Sequence, residues 1–379
     1  MTTQVPEMPS SKLRILHTEW SDGWGGQERR IVSEMEGLAR RGHHVVLATR
    51  PHCKIATKAA EAGIPILFLP MGSKLDLRSI LPLALYLRRE GIQVVNTHSG
   101  VDSWIGAFAA KLAGTPLLVR TRHLDIPLKR SWLNFVHYLA DRIVSCGEIM
   151  RTHLVEGCGF PPEQVVSIPT GIDFDRFAPL RTKQEMRQQL GIPSDAFLVL
   201  MVGIIRSVKR HEIALRAFRL FLDRYPTAQL VLAGEGPMEE QTKQLATQLN
   251  LGEQVHFLGH REDIPDLMAA ADVLLLTSRS EGVPQAVTQA LGLGLPIVST
   301  AVGGVPELVI HEHTGLLVPP ENPETTATAL ARIADDPNGA AQLSAKGKQH
   351  ALAQFSLQAM LDHTEQLFEE QLRQKGAHQ

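Results

Sequence analysis

Residues 197–209, Phe-Leu-Val-Leu-Met-Val-Gly-Ile-Ile-Arg-Ser-Val-Lys, decide the fold. The first six are apolar without alternation, as a strand buried on both faces requires. Gly203 breaks the run, and over residues 209–223 apolar side chains recur at helical spacing. A buried strand, a glycine turn with two cations, and a helix make the first part of a parallel βαβ unit. Strand-like runs at 229–233, 255–258, 273–276 and 296–300 continue the alternation downstream.

The same grammar runs upstream. Strand-like segments fall at 13–18, 44–49, 64–69, 93–97, 117–121 and 142–146, each followed by a helix-length stretch. Between the two series, Ile168-Pro169-Thr170-Gly171-Ile172-Asp173 and Pro179 read as a linker, with the boundary near 170–182. The expected fold class is α/β: two Rossmann-like domains, 1–175 and 176–356, facing each other across a cleft. The segment 357–379 reads as an amphipathic helix expected to pack back on the first domain. Open parallel sheets bind ligands at the carboxyl ends of their strands, so those ends are where chemistry is sought.

Composition agrees with this outline. The 379 residues favour more than one domain. With 44% hydrophobic, 21% charged and only 5% aromatic residues, the core is aliphatic and the surface that of an ordinary soluble protein. Cys53, Cys146 and Cys158 have neither CxxC spacing nor even pairing, which argues against a disulfide framework or zinc site and fits a reducing compartment. Apolar runs are strand-length, too short to span a membrane, and the polar lead 1–12 lacks a secretion signal, so a cytoplasmic protein is expected. Residues 1–180 carry +4 and residues 181–379 carry −6, within a net −2. The basic balance, with Arg120, Arg122, Lys129 and Arg130, raises a peripheral contact with the cytoplasmic membrane face as a secondary expectation, beside the plainer reading of a mixed surface. No basic run is dense enough for nucleic acid.

Four motifs fall at strand ends. Gly23-Trp24-Gly25-Gly26-Gln27-Glu28 opens a helix, where glycines admit a ligand to the backbone and free N–H groups face phosphate. It is not a full GxGxxG and reads equally as a tight turn. His98, in Asn96-Thr97-His98-Ser99, could bind a hydroxyl or carry a proton, or be a satisfied loop histidine. Arg120, Arg122 and His123 follow the next strand and could meet an anionic acceptor. In Gly203-Ile204-Ile205-Arg206-Ser207-Val208-Lys209, the cations Arg206 and Lys209 suit a leaving diphosphate. Last comes Ser280-Glu281-Gly282-Val283-Pro284, with Gln289 beyond it and then Gly303-Gly304-Val305-Pro306-Glu307. Glu281 there is a partner for sugar hydroxyls, or a carboxylate answering a helix dipole.

This ordered set, with Pro169-x-Gly171-x-Asp173, Gly234-Glu235-Gly236-Pro237, Val255-x-Phe257-Leu258-Gly259 and Gly315-Leu316-Leu317-Val318, resembles glycosyltransferase family 4 over nearly the whole chain. The resemblance implies a retaining enzyme of GT-B fold, using a nucleoside-diphosphate sugar and no protein-bound metal or other cofactor. It places Arg206 and Lys209 on the donor diphosphate beside Gly203, Glu281 on the transferred sugar, and Gly25 and Gly26 near the phosphate from the first domain. His98 falls near the reacting centre, and Gly303, Gly304 and Glu307 shape the donor pocket. A second glutamate, usual eight residues after the first and bound to ribose, is replaced by Gln289. The acceptor implied is a glycan or lipid-linked glycan of cell-envelope biosynthesis, such as lipopolysaccharide. Two rival readings are a sugar-nucleotide epimerase of the same fold and a non-catalytic sugar-nucleotide-binding protein.

Overall fold

The structure, a computed structural model, describes residues 12–124, 126 and 132–376. The polar lead 1–11, Lys129 and Arg130 lie outside the described residues. The chain forms two compact units. The first takes the chain through Cys146, then Arg151–Ile168 and everything from Met360; the second takes Gly147–Met150 and Pro169–Ala359.

In the first unit, β1 (Arg14–Glu19), β2 (His44–Thr49), β3 (Ile66–Phe68), β4 (Val94–Thr97), β5 (Leu117–Arg122), β6 (Arg142–Ser145) and β7 (Val165–Ser167) form a parallel sheet, ordered 3-2-1-4-5-6-7. In the second, β8 (Leu198–Val202), β9 (Gln229–Ala233), β10 (Val255–Phe257), β11 (Val273–Leu276), β12 (Ile297–Thr300) and β13 (Leu316–Val318) form another, ordered 10-9-8-11-12-13. Each is doubly wound, and the order reverses between β1 and β4 and between β8 and β11. Crevices open at such reversals, beyond the strands' carboxyl ends. The register sets the residues there: His17 lies beside Asn96 and Thr18 beside Thr97. In the second sheet, Val273 lies beside Val199.

The second sheet buries apolar residues on both faces. Leu198, Leu200 and Leu274 belong to one cluster and Val199, Met201 and Leu275 to the other. That explains the unbroken apolar run at 197–202, since neither face meets water. The strands β7 and β13, absent from the sequence reading, are three residues long and outermost in their sheets.

The last helix, Leu357–Gly376, belongs to the first unit from Met360 onward. A Cβ on Gly37 would meet Leu361 Cδ1 at 2.4 Å, so glycine there lets the last helix pack closely on the helix Gly26–Arg40. Glu365 accepts from Arg41 at 2.5 Å and lies 2.6 Å from His43 Nε2, while Lys375 pairs with Asp141 at 2.7 Å. Among the described residues, no helix is long and apolar enough to cross a membrane.

Candidate functional site

In the second unit, the loops after β8 and β11 are stitched together. The Thr277 hydroxyl, just past β11, donates to the carbonyls of Lys209 and Arg210 at 3.1 and 3.0 Å. Arg279 N donates to Val208 O at 2.8 Å. These bonds bring the Lys209 ammonium to Glu281 Oε1 at 2.6 Å, with the Ser278 hydroxyl donating to the same oxygen. The two predicted residues are thus joined at the crevice of the second sheet. Arg206 keeps its backbone in the same turn, accepting from Lys209 N at 2.9 Å. Its side chain is exposed and lines a pocket of about 500 Å³ with Ser207, Arg210, His211, Met238 and Gln241 among others. The guanidinium has no hydrogen-bond or ion-pair partner among the described residues.

Gly203 and Gly303 act through the backbone. Gly303 has φ +52°, and a Cβ there would lie 1.8 Å from Glu281 O. Gly304 N donates to Gly282 O at 3.0 Å. The Gly303-Gly304 turn therefore fixes the peptide that carries Glu281. Gly203, whose N donates to Ala233 O at 3.0 Å, is pressed by Gly234, where a Cβ would fall 1.9 Å from Gly203 O. The Glu307 carboxylate accepts from Glu148 N and Ile149 N at 2.7 and 2.6 Å. It therefore holds the 147–150 segment of this same unit. Gln289 is half-buried on the helix Gln285–Leu293, its amide without a partner among the described residues.

In the first unit, three imidazoles form a line. His17 Nδ1 lies 3.0 Å from His98 Nε2, and His98 Nδ1 lies 3.0 Å from His123 Nε2. His123 Nδ1 lies 3.6 Å from Cys146 Sγ, whose thiol donates to Arg122 O at 3.0 Å. A thiol that donates there accepts from His123, so each imidazole donates through Nδ1, and His98 and His123 accept through Nε2. The line ends at His17 Nε2, which is buried without a partner. Burial lowers the His17 pKa to about 3. Burial, then His123 and His17, hold His98 well below the ordinary value; burial, then Arg30 and Arg122, do so for His123. All three are neutral at pH 7.

Asp102 fixes His98 from behind, accepting from His98 N at 2.9 Å, Ser99 N at 2.9 Å and the Thr18 hydroxyl at 2.7 Å. Ser99 caps the helix Gly100–Ala113 with Asp102 three residues on, a capping box legible in the sequence. Glu19, at the end of β1, accepts from Trp20 N, Ser21 N and Gln27. Burial and then Asp102 raise its pKa to about 7. His17, Glu19 and Asp102 escaped the sequence reading. Polar residues closing an otherwise apolar strand, His17-Thr18-Glu19, were the available signal.

His98, His123, Ser99, Arg120 and Gln27 line a pocket of about 170 Å³, with Leu124 and Ile126 at its side. Arg120 is 6% exposed, its guanidinium contacting His137 Nδ1 while Nε has no partner. Burial, then Arg122, lowers its pKa to about 9. Arg122, 7% exposed, donates to Leu124 O and Ile126 O at 3.3 and 2.6 Å and holds the turn after β5. Both arginines are too deep to lie on a membrane, which corrects that part of the charge reading. Gly25 caps the helix Gly26–Arg40, its N–H donating to Glu28 at 2.7 Å. The motif thus forms a tight turn into the helix.

The Glycosyltransferase Family 4 profile matches residues 24–176, and the Glycosyl transferases group 1 profile matches 182–350. The chain belongs to glycosyltransferase family 4. This family 4 chain is 27% identical to the Escherichia coli UDP-Gal:alpha-D-GlcNAc-diphosphoundecaprenol alpha-1,3-galactosyltransferase, over 86% of its own length and 89% of the relative's. It is 29% identical to the Saccharomonospora viridis D-inositol 3-phosphate glycosyltransferase, over 86% and 85%. Among solved structures, a Rickettsia africae glycosyltransferase superposes with TM-score 0.85 at 19% identity, over 96% of this chain and 99% of that one. Anabaena HepE in complex with UDP gives 0.82 at 22% identity, over 94% and 100%. The fold is GT-B, and the enzyme is a glycosyltransferase. Among the described residues, no cluster of three or more His, Cys, Asp or Glu is placed to hold a metal ion.

Proposed function

We propose that this glycosyltransferase moves a sugar from a nucleoside-diphosphate sugar to a hydroxyl of a glycan or lipid-linked acceptor, retaining the anomeric configuration. The pathway proposed is assembly of a cell-envelope glycan at the cytoplasmic face of the membrane. The observation that carries the reading is the Lys209–Glu281 pair at the crevice of the second sheet.

A leaving nucleoside diphosphate gains negative charge as the glycosidic bond breaks. Lys209 and the unpartnered guanidinium of Arg206 meet that charge, helped by the N-terminus of the helix His211–Leu222. Glu281 accepts hydrogen bonds from the transferred sugar once Lys209 turns to phosphate. Gly303 and Gly304 keep the Glu281 peptide in place, and Gln289 meets the ribose. In the first unit, the pocket beside His98 takes the acceptor. His98, held by His17 and His123 through both ring nitrogens, shapes that pocket, Arg120 presents positive charge to an anionic acceptor group, and the departing phosphate takes the hydroxyl proton. In the proposed reaction the departing phosphate assists attack from the same face, without a metal held by the protein. The names of the relatives support this reading, one carrying a diphosphate-linked lipid acceptor and the other an inositol phosphate.

The test is incubation with a panel of sugar nucleotides, with and without lipid-linked acceptor, in chelator, read by mass spectrometry and NMR. A glycosylated acceptor with the donor's anomeric configuration is expected. An isomerised sugar nucleotide formed without acceptor would make the protein an epimerase. Bound but unchanged nucleotide would make it a binding protein.

A further inference from the structure

We infer that the outward face of the helix Leu77–Arg89 is a docking surface for an anionic lipid bilayer, an inference that goes beyond the transfer reaction. The helix is apolar on two sides. Its inner side buries Ile80, Leu83, Ala84 and Leu87 in the first unit. Its outer side carries Leu77, Leu81 and Leu85, exposed by 63%, 49% and 69%. Their spacing of four places them in one stripe along the helix. Leu75, 61% exposed, extends the stripe ahead of the helix. Leu112, 52% exposed, adjoins its far end, where Arg88 Nη2 donates to Leu112 O at 3.0 Å. Single exposed leucines are ordinary, but an aligned set on one helix marks a surface that something covers.

The charge around the stripe says what covers it. Lys74, Arg78, Arg88 and Arg89 are exposed around the leucines. The one acidic residue of segment 74–89, Asp76, is buried and accepts from Gly72 N, Arg78 N and Arg78 Nε, the last at 3.1 Å, which leaves Lys74, Arg88 and Arg89 as the cations it does not pair. Beyond the end, Glu90 is held by Arg14 and Arg89. An apolar stripe rimmed by long cations suits a bilayer: leucines enter the acyl boundary while the cations reach lipid phosphates. A second copy docking by two-fold symmetry would set arginine against arginine, which disfavours a homodimer here. The membrane contact suggested by charge alone therefore moves from the buried Arg120 and Arg122 to this helix.

The full-length protein is to be sedimented with vesicles of equal parts phosphatidylglycerol and phosphatidylcholine, and with phosphatidylcholine alone, at low and high salt. Binding to the anionic vesicles that weakens with salt is expected. Leu81→Ser/Leu85→Ser is expected to weaken it about tenfold or more, with unchanged melting temperature and unchanged transfer to a water-soluble acceptor. Arg88→Gln/Arg89→Gln is expected to reduce the preference for anionic over neutral vesicles. Failure of the wild type to bind at low salt would overturn the inference. So would equal binding by the leucine variant, or a dimer in solution that the leucine variant dissolves. Transfer to the soluble acceptor is scored separately, so a wild type that transfers sugar but never binds vesicles refutes the surface and leaves the reaction standing.

Discussion

Lys209 and Glu281, 72 positions apart, meet at 2.6 Å with 15% and 9% of their side chains exposed. Two charges so withdrawn from water persist because each is the other's partner, and removing one strands the other. Their contact holds both ready at the crevice where the diphosphate is proposed to bind.

Replacing either residue is therefore expected to do two things. Lys209→Ala removes a charge-assisted contact worth about 1.5–3 kcal/mol, which lowers transfer roughly ten- to a hundredfold. It also frees Glu281, so the melting temperature falls. Glu281→Gln lowers transfer and leaves Lys209 charged. The two changes share a partner, so their effects should be less than additive in a double-mutant cycle on stability. Full additivity would mean that the pair does not matter to the unliganded protein. Arg206→Ala, whose side chain has no partner, should lower transfer without changing the melting temperature.

Stability should fall as pH drops below about 6.5. Burial lowers His17 and His137 to about 3 and His211 to about 4, and holds His98 and His123 well below 6.5. The unfolded chain then binds protons first, so stability rises with pH across this window and is lost as pH falls from about 6.5 toward 4. Glu19, raised to about 7, acts with the opposite sign: its contribution is lost as pH rises through that value. Glu34, also raised by burial, acts with Glu19, and His256, also lowered by burial, joins the imidazoles, so two carboxyls oppose six imidazoles. The check is melting temperature against pH for the wild type and His17→Asn. The variant should be less stable near neutrality but lose less on acidification; parallel curves would remove His17 from the account.

Gly303→Ala is expected to damage the site more than its size suggests. The residue is left-handed, and the new methyl would lie 1.8 Å from Glu281 O. Strain of this kind costs on the order of 1–3 kcal/mol, and the relief available is movement of the Glu281 peptide. Transfer should fall by more than Glu281→Gln alone produces if the loop shift also disturbs Gly282. Circular dichroism and a thermal melt separate this from global unfolding.

The architecture was legible because two parallel sheets demand unbroken apolar runs, which the sequence shows at 197–202 and 273–276. The strand-end residues were legible for the same reason, since the ends of such runs are easy to locate. Partnerships were not. Nothing local ties Lys209 to Glu281; the sheet order, which sets β8 beside β11, brings them together. His17 lies within β1 and meets His98 because β1 and β4 are neighbours where the strand order reverses.

Gln289 offers the last test. It is half-buried on the helix Gln285–Leu293, eight residues beyond Glu281, with its amide unpartnered among the described residues. The proposed role is contact with the nucleotide ribose. A neutral amide contact contributes about 0.5–1.5 kcal/mol, against about 1.5–3 for a carboxylate accepting the same bonds. With no bond to Gln289 to break, Gln289→Glu should leave the fold unchanged and tighten ribonucleotide binding by up to roughly tenfold. The 2′,3′-dideoxy analogue lacks both hydroxyls and should gain much less. Calorimetry of both proteins with both ligands measures the difference. Weaker binding in the variant, or an equal change for both ligands, would mean that the amide meets the base or another part of the donor.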